Sequence, residues 1–375
     1  MKKVVIAIDS FKGCLPSVEA GKAAAEGIRS VYPECEVICL PIADGGEGML
    51  DVLIMATNGQ EVPISAHDPL MRWRNTYYGI SENGETAFIE MASISGLPLV
   101  PPERRNPMLT TTYGTGEIIR DALERGCRNF IIGIGGSATN DAGLGMLQAL
   151  GFRFSDKEGK EVGTGRGEVL IKVAHIDSTC VHPALNSCRF TVACDVQNPF
   201  YGPEGAAYVF APQKGADREM VEALDAGLQN FAEVIRHTTG KDISHHPGAG
   251  AAGGMGGSLL AFLNAELKPG IQVMLEALDF SNKIKSADLI ITGEGKADRQ
   301  TLMGKVPSGI LAEARKQNIP VILLAGNIED SDELQQAGFE GVFSVNPPFI
   351  SLEEAMRPEV ACKNIQQTVE SICKK

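Results

Sequence analysis

A chain of 375 residues with 43% hydrophobic and 22% charged residues has an ordinary globular composition, long enough for two domains and for a core without metal or disulfide staples. Its formal net charge is −13, and no run of Lys and Arg supplies the basic face that displaces phosphate counterions, which argues against nucleic-acid binding. Nine cysteines, an odd number without a C-x-x-C pair, and with Cys35 and Cys39 lacking partners at zinc-ligand spacing, point to reduced thiols and a cytoplasmic location.

The first apolar run, residues 4–8, stops at Asp9. A signal-peptide core needs about 7–15 apolar residues, so the run reads as a buried strand. No stretch approaches the roughly 18 apolar residues of a membrane span. A helix over 17–30 with Ser17 as its cap, a strand over 36–40 and a helix over 48–56 follow. Strands over 62–66, 73–80 and 86–91, joined by turns such as Glu82-Asn83-Gly84, suggest an antiparallel or mixed patch. Next come helix 115–125, strand 128–133, helix 143–150, strand 189–194, and 206–210. A long helix over 218–237 carries Val221, Leu224, Leu228, Phe231 and Ile235 at helical spacing, which marks a core face. A glycine-dense segment, 248–257, leads into a helix over 254–265; it could admit a ligand to the backbone or serve as a flexible linker. The last ninety residues alternate again: strand 287–292, helix 305–317, strand 321–325, helix 331–337, strand 342–345 and a closing helix over 352–373.

Alternation at this spacing implies parallel strands with right-handed crossovers. The expected fold is α/β in two domains. Residues 1–62 plus 285–375 form a discontinuous doubly wound parallel-sheet domain of flavodoxin/Rossmann-like type. Residues 63–284 form an inserted mixed α/β domain, with the active site expected in the cleft between the two.

Several glycine-rich turns stand at strand ends. Residues 132–141, IGIGGSATND, pass from a strand into a helix. Gly133-x-Gly135-x-x-Ala138 fits the dinucleotide fingerprint, but no acid ends a second strand about 20 residues later, so the dinucleotide context fails. The glycines still let backbone amides approach an anion, and Ser137, Thr139 and Asn140 add polar groups; a plain turn with helix-capping side chains is the other reading. Residues 292–301, TGEGKADRQT, crowd charged and polar groups at the end of an apolar strand, where open α/β sheets bind ligands. Asp44-Gly45-Gly46-Glu47-Gly48 offers two carboxylates for Mg²⁺ or for a hydroxyl proton, and Asp9-Ser10-Phe11-Lys12-Gly13 offers a lysine to a phosphate or carboxylate. Walker A is absent, because Arg299 stands at the glycine offset before Gly304-Lys305; the G-x-S-x-G elbow and H-E-x-x-H are absent too. Glycine turns lined with acids, lysines and hydroxyls are the mix that phosphoryl transfer needs, so the residues themselves point to a small-molecule kinase or related phosphate enzyme.

Taken together, IAIDSFKG (6–13), PIADGGEG (41–48), RNPMLTTTYGTGE (105–117), IGIGGSATNDAGLGM (132–146), ACDVQNPFYGPEGAA (193–207), FAPQKGA (210–216), GAGAAGGMGG (248–257) and LIITGEGKADRQTLMGKVP (289–307) resemble, in order along nearly the whole chain, the bacterial glycerate kinase family of the first type. Pro16 and Lys296 are small departures that remove no candidate group. The resemblance implies a two-domain α/β fold and phosphorylation of D-glycerate by ATP with Mg²⁺, at the 2-hydroxyl to give 2-phosphoglycerate, with the 3-hydroxyl as the alternative. On that footing Lys12 is the first choice for the glycerate carboxylate, and Asp44, Asp195 and Asp298 are candidate base or metal ligands. Asp9, Ser10, Gly135, Gly136, Ser137, Thr139, Asn140, Gly293 and Gly295 are candidate substrate or phosphate contacts, with Glu294 and Asp298 as Mg²⁺ ligands. The partners are then small molecules, not nucleic acid or membrane, and a homo-oligomer is compatible with the sequence. A NAD-dependent oxidoreductase on a small hydroxy acid and a non-catalytic sugar-acid-binding regulator are the competing classes.

Overall fold

In the computed structural model, which describes residues 1–46 and 48–374, strands run in chain order as β1 (Lys3–Ile8), β2 (Glu36–Cys39), β3 (Gln60–His67), β4 (Trp73–Ile80), β5 (Thr86–Glu90), β6 (Asn129–Gly133), β7 (Arg153–Ser155), β8 (His175–Asp177), β9 (Arg189–Ala193), β10 (Glu266–Lys268), β11 (Leu289–Ala297), β12 (Val321–Ile328) and β13 (Gly341–Ser344). The chain divides into two units, Met1–Asp44 with Ile271–Lys375, and Gly45–Gly270. The divisions fall earlier in the chain than residues 62 and 284. The helix Met49–Ala56 packs on β4 and β5, which assigns it to the second unit, whereas Ile271 lies against Gly309 of the first.

The first unit is a parallel sheet in the order β13-β12-β11-β1-β2. The chain steps outward from β1 to β2 on one side and from β11 through β12 to β13 on the other. Right-handed crossovers therefore place the helix Ser17–Val31 on one face and the helices Val306–Lys316 and Ser331–Gln336 on the opposite face. The sheet is doubly wound, and its order reverses between β1 and β11. Val4 to Ile8 are 0–1% exposed because helices cover both faces. Ser17–Val31 is alanine-rich and packs on the C-terminal helix Pro358–Cys373, where Gly27 allows the close approach: a Cβ there would lie 2.5 Å from the Gln366 carbonyl oxygen.

The second unit carries a mixed sheet, β10-β9-β6-β5-β4-β3. β3, β4 and β5 pair antiparallel, and β5, β6, β9 and β10 pair parallel. Facing Phe130 and Phe190 on β6 and β9 stack with ring centroids 4.7 Å apart. The helix Arg218–Thr239 buries Val221, Leu224, Leu228, Phe231 and Ile235, all at most 6% exposed. Each such side chain contributes about 1.5–3 kcal/mol of burial.

Four local expectations are corrected. The segment Ala206–Phe210 is a short helix. The closing helix is two, Leu352–Ala355 and Pro358–Cys373: Arg357 before the proline is extended, as the ring requires of its predecessor. Ser17 does not cap its helix, because its hydroxyl is turned to the Ile8 carbonyl. The glycine-dense segment 248–257 is no flexible linker. Gly248 is packed against the Leu267 and Cys194 side chains, Gly250 and Gly253 against neighbouring backbone, and Gly253 adopts φ +67° where a Cβ would collide with the Thr139 carbonyl.

Candidate active site

The carboxyl ends of β1 and β11, where the strand order reverses, are where an open α/β sheet presents a crevice to ligands. A cavity of about 420 Å³ opens there in the first unit. Asp9, Ser10, Lys12, Asp44, Glu294 and Gly295 line it, so six of the sequence-predicted positions come together.

Each is placed by the sheet's own bonding. The Asp9 amide donates to the Gly293 carbonyl at 2.9 Å, continuing the β1–β11 ladder by one rung. The buried Ser17 hydroxyl donates to the Ile8 carbonyl at 2.6 Å and accepts from the Ile42 amide at 2.9 Å. It thereby ties the end of β1 to the segment leading into Asp44. Phe11 and Leu15 exchange backbone hydrogen bonds, which closes a tight turn with Gly13 at φ +75° and Lys12 near its tip. Glu294 lies within β11, opposite Ala325, because β11 continues past residue 292 alongside β12.

The electrostatics are those of crowded acids answered by lysines. Lys12 Nζ lies 3.3 Å from Asp44 Oδ2, and Lys305 Nζ lies 3.5 Å from Glu294 Oε2. Asp9 is 7% exposed. Burial first, then Asp44 and Glu294, push its carboxyl from 3.8 up to about 6, against the Ser10 amide and Lys12. Burial also raises Glu294, although Thr301 and Lys305 pull it down. Burial opposes the Lys12 charge, but Asp44, Asp9 and Glu294 outweigh it and hold its pKa above the ordinary lysine value. Glu294 Oε1 is buried without a hydrogen-bond partner in the protein.

Two predicted members of the first unit, Gly293 and Asp298, stay outside this cavity. Gly293 is buried in the sheet, and a Cβ there would lie 2.5 Å from the Leu324 carbonyl oxygen, so its role is strand packing. Asp298 caps the short helix Arg299–Leu302, accepting from the Gln300 amide at 2.8 Å, and sits 3.6 Å from Lys296. No three acidic, imidazole or thiol groups among the described residues converge as an all-protein metal centre. Mg²⁺ seldom uses one; it binds through one or two carboxylates with substrate phosphates and water. Glu294 and Asp44 fit that pattern, whereas Glu47 lies outside the described residues.

The turn 134–141 belongs to the second unit. Gly135 and Gly136 are exposed, the latter at φ +69°. Thr139 and Asn140 are fully buried, and the Thr139 hydroxyl and both Asn140 amide atoms lack protein partners. Ser137 is engaged by Lys214, whose Nζ donates to Ser137 Oγ at 2.8 Å and to the Thr139 carbonyl at 2.7 Å. Lys214 is 2% exposed, and burial lowers its amine to about 7 against the pull of Asp141. Asp141 accepts from the Thr112 amide and hydroxyl, both at 2.8 Å, and from the Gly143 and Gly145 amides at 3.2 Å. Thr110 donates to the Ala138 carbonyl at 2.9 Å. The motifs at 105–117, 210–216 and 248–257 therefore all brace this one turn. Asp195 follows β9, is exposed, and accepts from the Gly270 amide at 2.8 Å.

Sequence reasoning missed Lys305, weighed only as a failed Walker A fragment, and Lys214 and Asp141, whose type gave no sign of burial. The signal for all three was their place inside the motifs at 289–307, 210–216 and 132–146.

The family model described as the glycerate kinase family matches residues 4–375. The chain belongs to the glycerate kinase family. It is 48% identical to the glycerate 2-kinase of Escherichia coli strain K12, over 95% of this chain and 93% of that one. It is 46% identical to a glycerate kinase of Bacillus subtilis strain 168, over 99% and 96%. A crystal structure from Salmonella typhimurium LT2 that carries a provisional glycerate kinase 2 name superposes with a TM-score of 0.91 at 44% identity, covering 100% of this chain and 97% of that one. Membership makes the chain a phosphotransferase, and the dinucleotide-dependent oxidoreductase and the non-catalytic regulator fall away. Among the described residues no helix is long and apolar enough to cross a membrane.

Proposed function

We propose that the chain phosphorylates D-glycerate with ATP at the 2-hydroxyl, giving 2-phosphoglycerate and ADP. The observation that carries this is the convergence of Asp9, Asp44, Glu294, Lys12 and Lys305 on one cavity at the reversal point of a parallel sheet. Phosphoryl transfer asks the protein mainly to position reactants and neutralise charge. Lys12 and Lys305 are the cations for phosphate oxygens or the substrate carboxylate. Asp9, at about 6, is poised near operating pH to accept a hydroxyl proton. Glu294 and Asp44 would hold Mg²⁺, which when bound neutralises charge on the phosphates. In the second unit, the exposed backbone of Gly135 and Gly136 is the part of the turn open to an anion, and the unpartnered groups of Thr139 and Asn140 call for a partner from outside the chain. Asp195 is a candidate substrate contact there. The 2-hydroxyl is supported by the name of the Escherichia coli relative. A cytoplasmic location is supported by nine cysteines that are all free.

The test is to incubate the protein with MgATP and D-glycerate and offer the product directly to enolase. An immediate ultraviolet signal supports the 2-hydroxyl. A signal only after a mutase is added assigns the 3-hydroxyl, and no ADP release refutes the kinase reading for this substrate.

A further inference from the structure

The cavity at the β1 and β11 ends is lined by residues of two chemical kinds. One is the acid and lysine cluster. The other is a wall of Phe11, Cys14, Val345, Leu352, Ala355 and Met356, with no ionisable carboxylate or amine among them. Phosphates and a three-carbon acid have no use for such a wall. A small polar substrate would leave it wet, and exposed apolar surface of that kind marks a binding site. Leu352 is 78% exposed and Met356 38%, and just before them Phe349 is fully exposed with φ +71°, a conformation that L side chains rarely adopt. Unbranched or flexible apolar side chains adapt well to a flat ring. The segments that carry the wall are tied to their neighbours. The Asn346 amide donates to the Gly326 carbonyl at 2.8 Å and accepts from Asn364 at 3.3 Å, and the Cys14 thiol reaches the Ala355 carbonyl at 3.8 Å.

We infer that this wall is the nucleobase slot of the donor nucleotide, with its phosphates running toward Lys12 and Lys305. The inference rests on the kinase reading above and specifies which lining residues take which part of the nucleotide.

The test separates base from phosphate. Binding of a mant-labelled ADP is followed by fluorescence without turnover, and displaced either by ADP or by inorganic tripolyphosphate, which has no base. In the double variant Leu352→Ser/Met356→Ser, both at exposed positions, ADP should weaken at least about tenfold by loss of apolar contact. Tripolyphosphate should bind within about twofold of wild type. An unchanged ADP affinity, or equal weakening of ADP and tripolyphosphate, overturns the slot. A second variant, Phe349→Trp in a Trp73→Phe background, should show energy transfer to the bound mant nucleotide, and its absence with binding intact also overturns the slot. Wild-type protein that releases no ADP from ATP and glycerate instead refutes the kinase reading on which the slot depends.

Discussion

Asp9→Asn should stabilise the protein at neutral pH while removing its activity. Asp9 is 7% exposed, faces Asp44 and Glu294, and holds its proton up to about 6 instead of 3.8. At about 1.4 kcal/mol per pH unit, that displacement is worth about 3 kcal/mol. The folded state binds more protons than the unfolded chain between pH 3.8 and about 6. Stability from this group is therefore complete below 3.8 and lost as pH rises through 6. Asparagine keeps the shape and the acceptor for the Ser10 amide but does not ionise. The variant should exceed wild type by up to about 3 kcal/mol at pH 8, on the order of 4 °C in Tm for a chain of this length, and the difference should vanish toward pH 4. Thermal or urea unfolding at pH 8, 6 and 4 measures it. An equal gain at pH 4 and pH 8, or none at pH 8, would refute the charge argument and leave only packing.

Lys12→Met should leave Tm nearly unchanged, because the side chain is 74% exposed and such surface changes rarely exceed about 0.5 kcal/mol; steady-state assays should show kcat/KM down by at least about 10²-fold. Lys214→Met should remove a pH dependence of folding. The wild-type amine, lowered to about 7, makes stability rise with pH from about 7 to 10.5, so urea midpoints at pH 7.5 and 10 should differ for wild type by more than for the variant. Gly253→Ala should destabilise by about 1–3 kcal/mol, because φ +67° and the Thr139 carbonyl leave no place for a methyl group; calorimetry would read it as a lowered Tm.

Much of the first unit was legible because its strands are short apolar runs ended by functional residues: 4–8 stops at Asp9. The pairing of glycine turns with acids and lysines likewise exposed half of the cavity. What stayed hidden was set by distant partners. Residues 293–297 look like a turn because glycine is a poor strand former, yet pairing with β12 extends β11 through them. Lys214 looks like any surface lysine, and only the folded chain buries it under Ser137 and Thr139. Ser17 has the type and position of a helix cap, but the Ile8 carbonyl at the end of β1 claims its hydroxyl. Pro358 did carry a local signal, which the apolar periodicity around it masked.

The central claim is that the cavity of Asp9, Lys12, Asp44, Glu294 and Lys305 is where the phosphoryl group moves. Glu294→Gln tests it most directly, since it keeps the side chain's size and removes the carboxylate whose Oε1 has no protein partner. Single-turnover ADP formation from ATP and D-glycerate, measured across a Mg²⁺ titration, should slow by at least about 10²-fold with the Mg²⁺ midpoint raised. A wild-type rate with an unchanged Mg²⁺ midpoint would contradict the account.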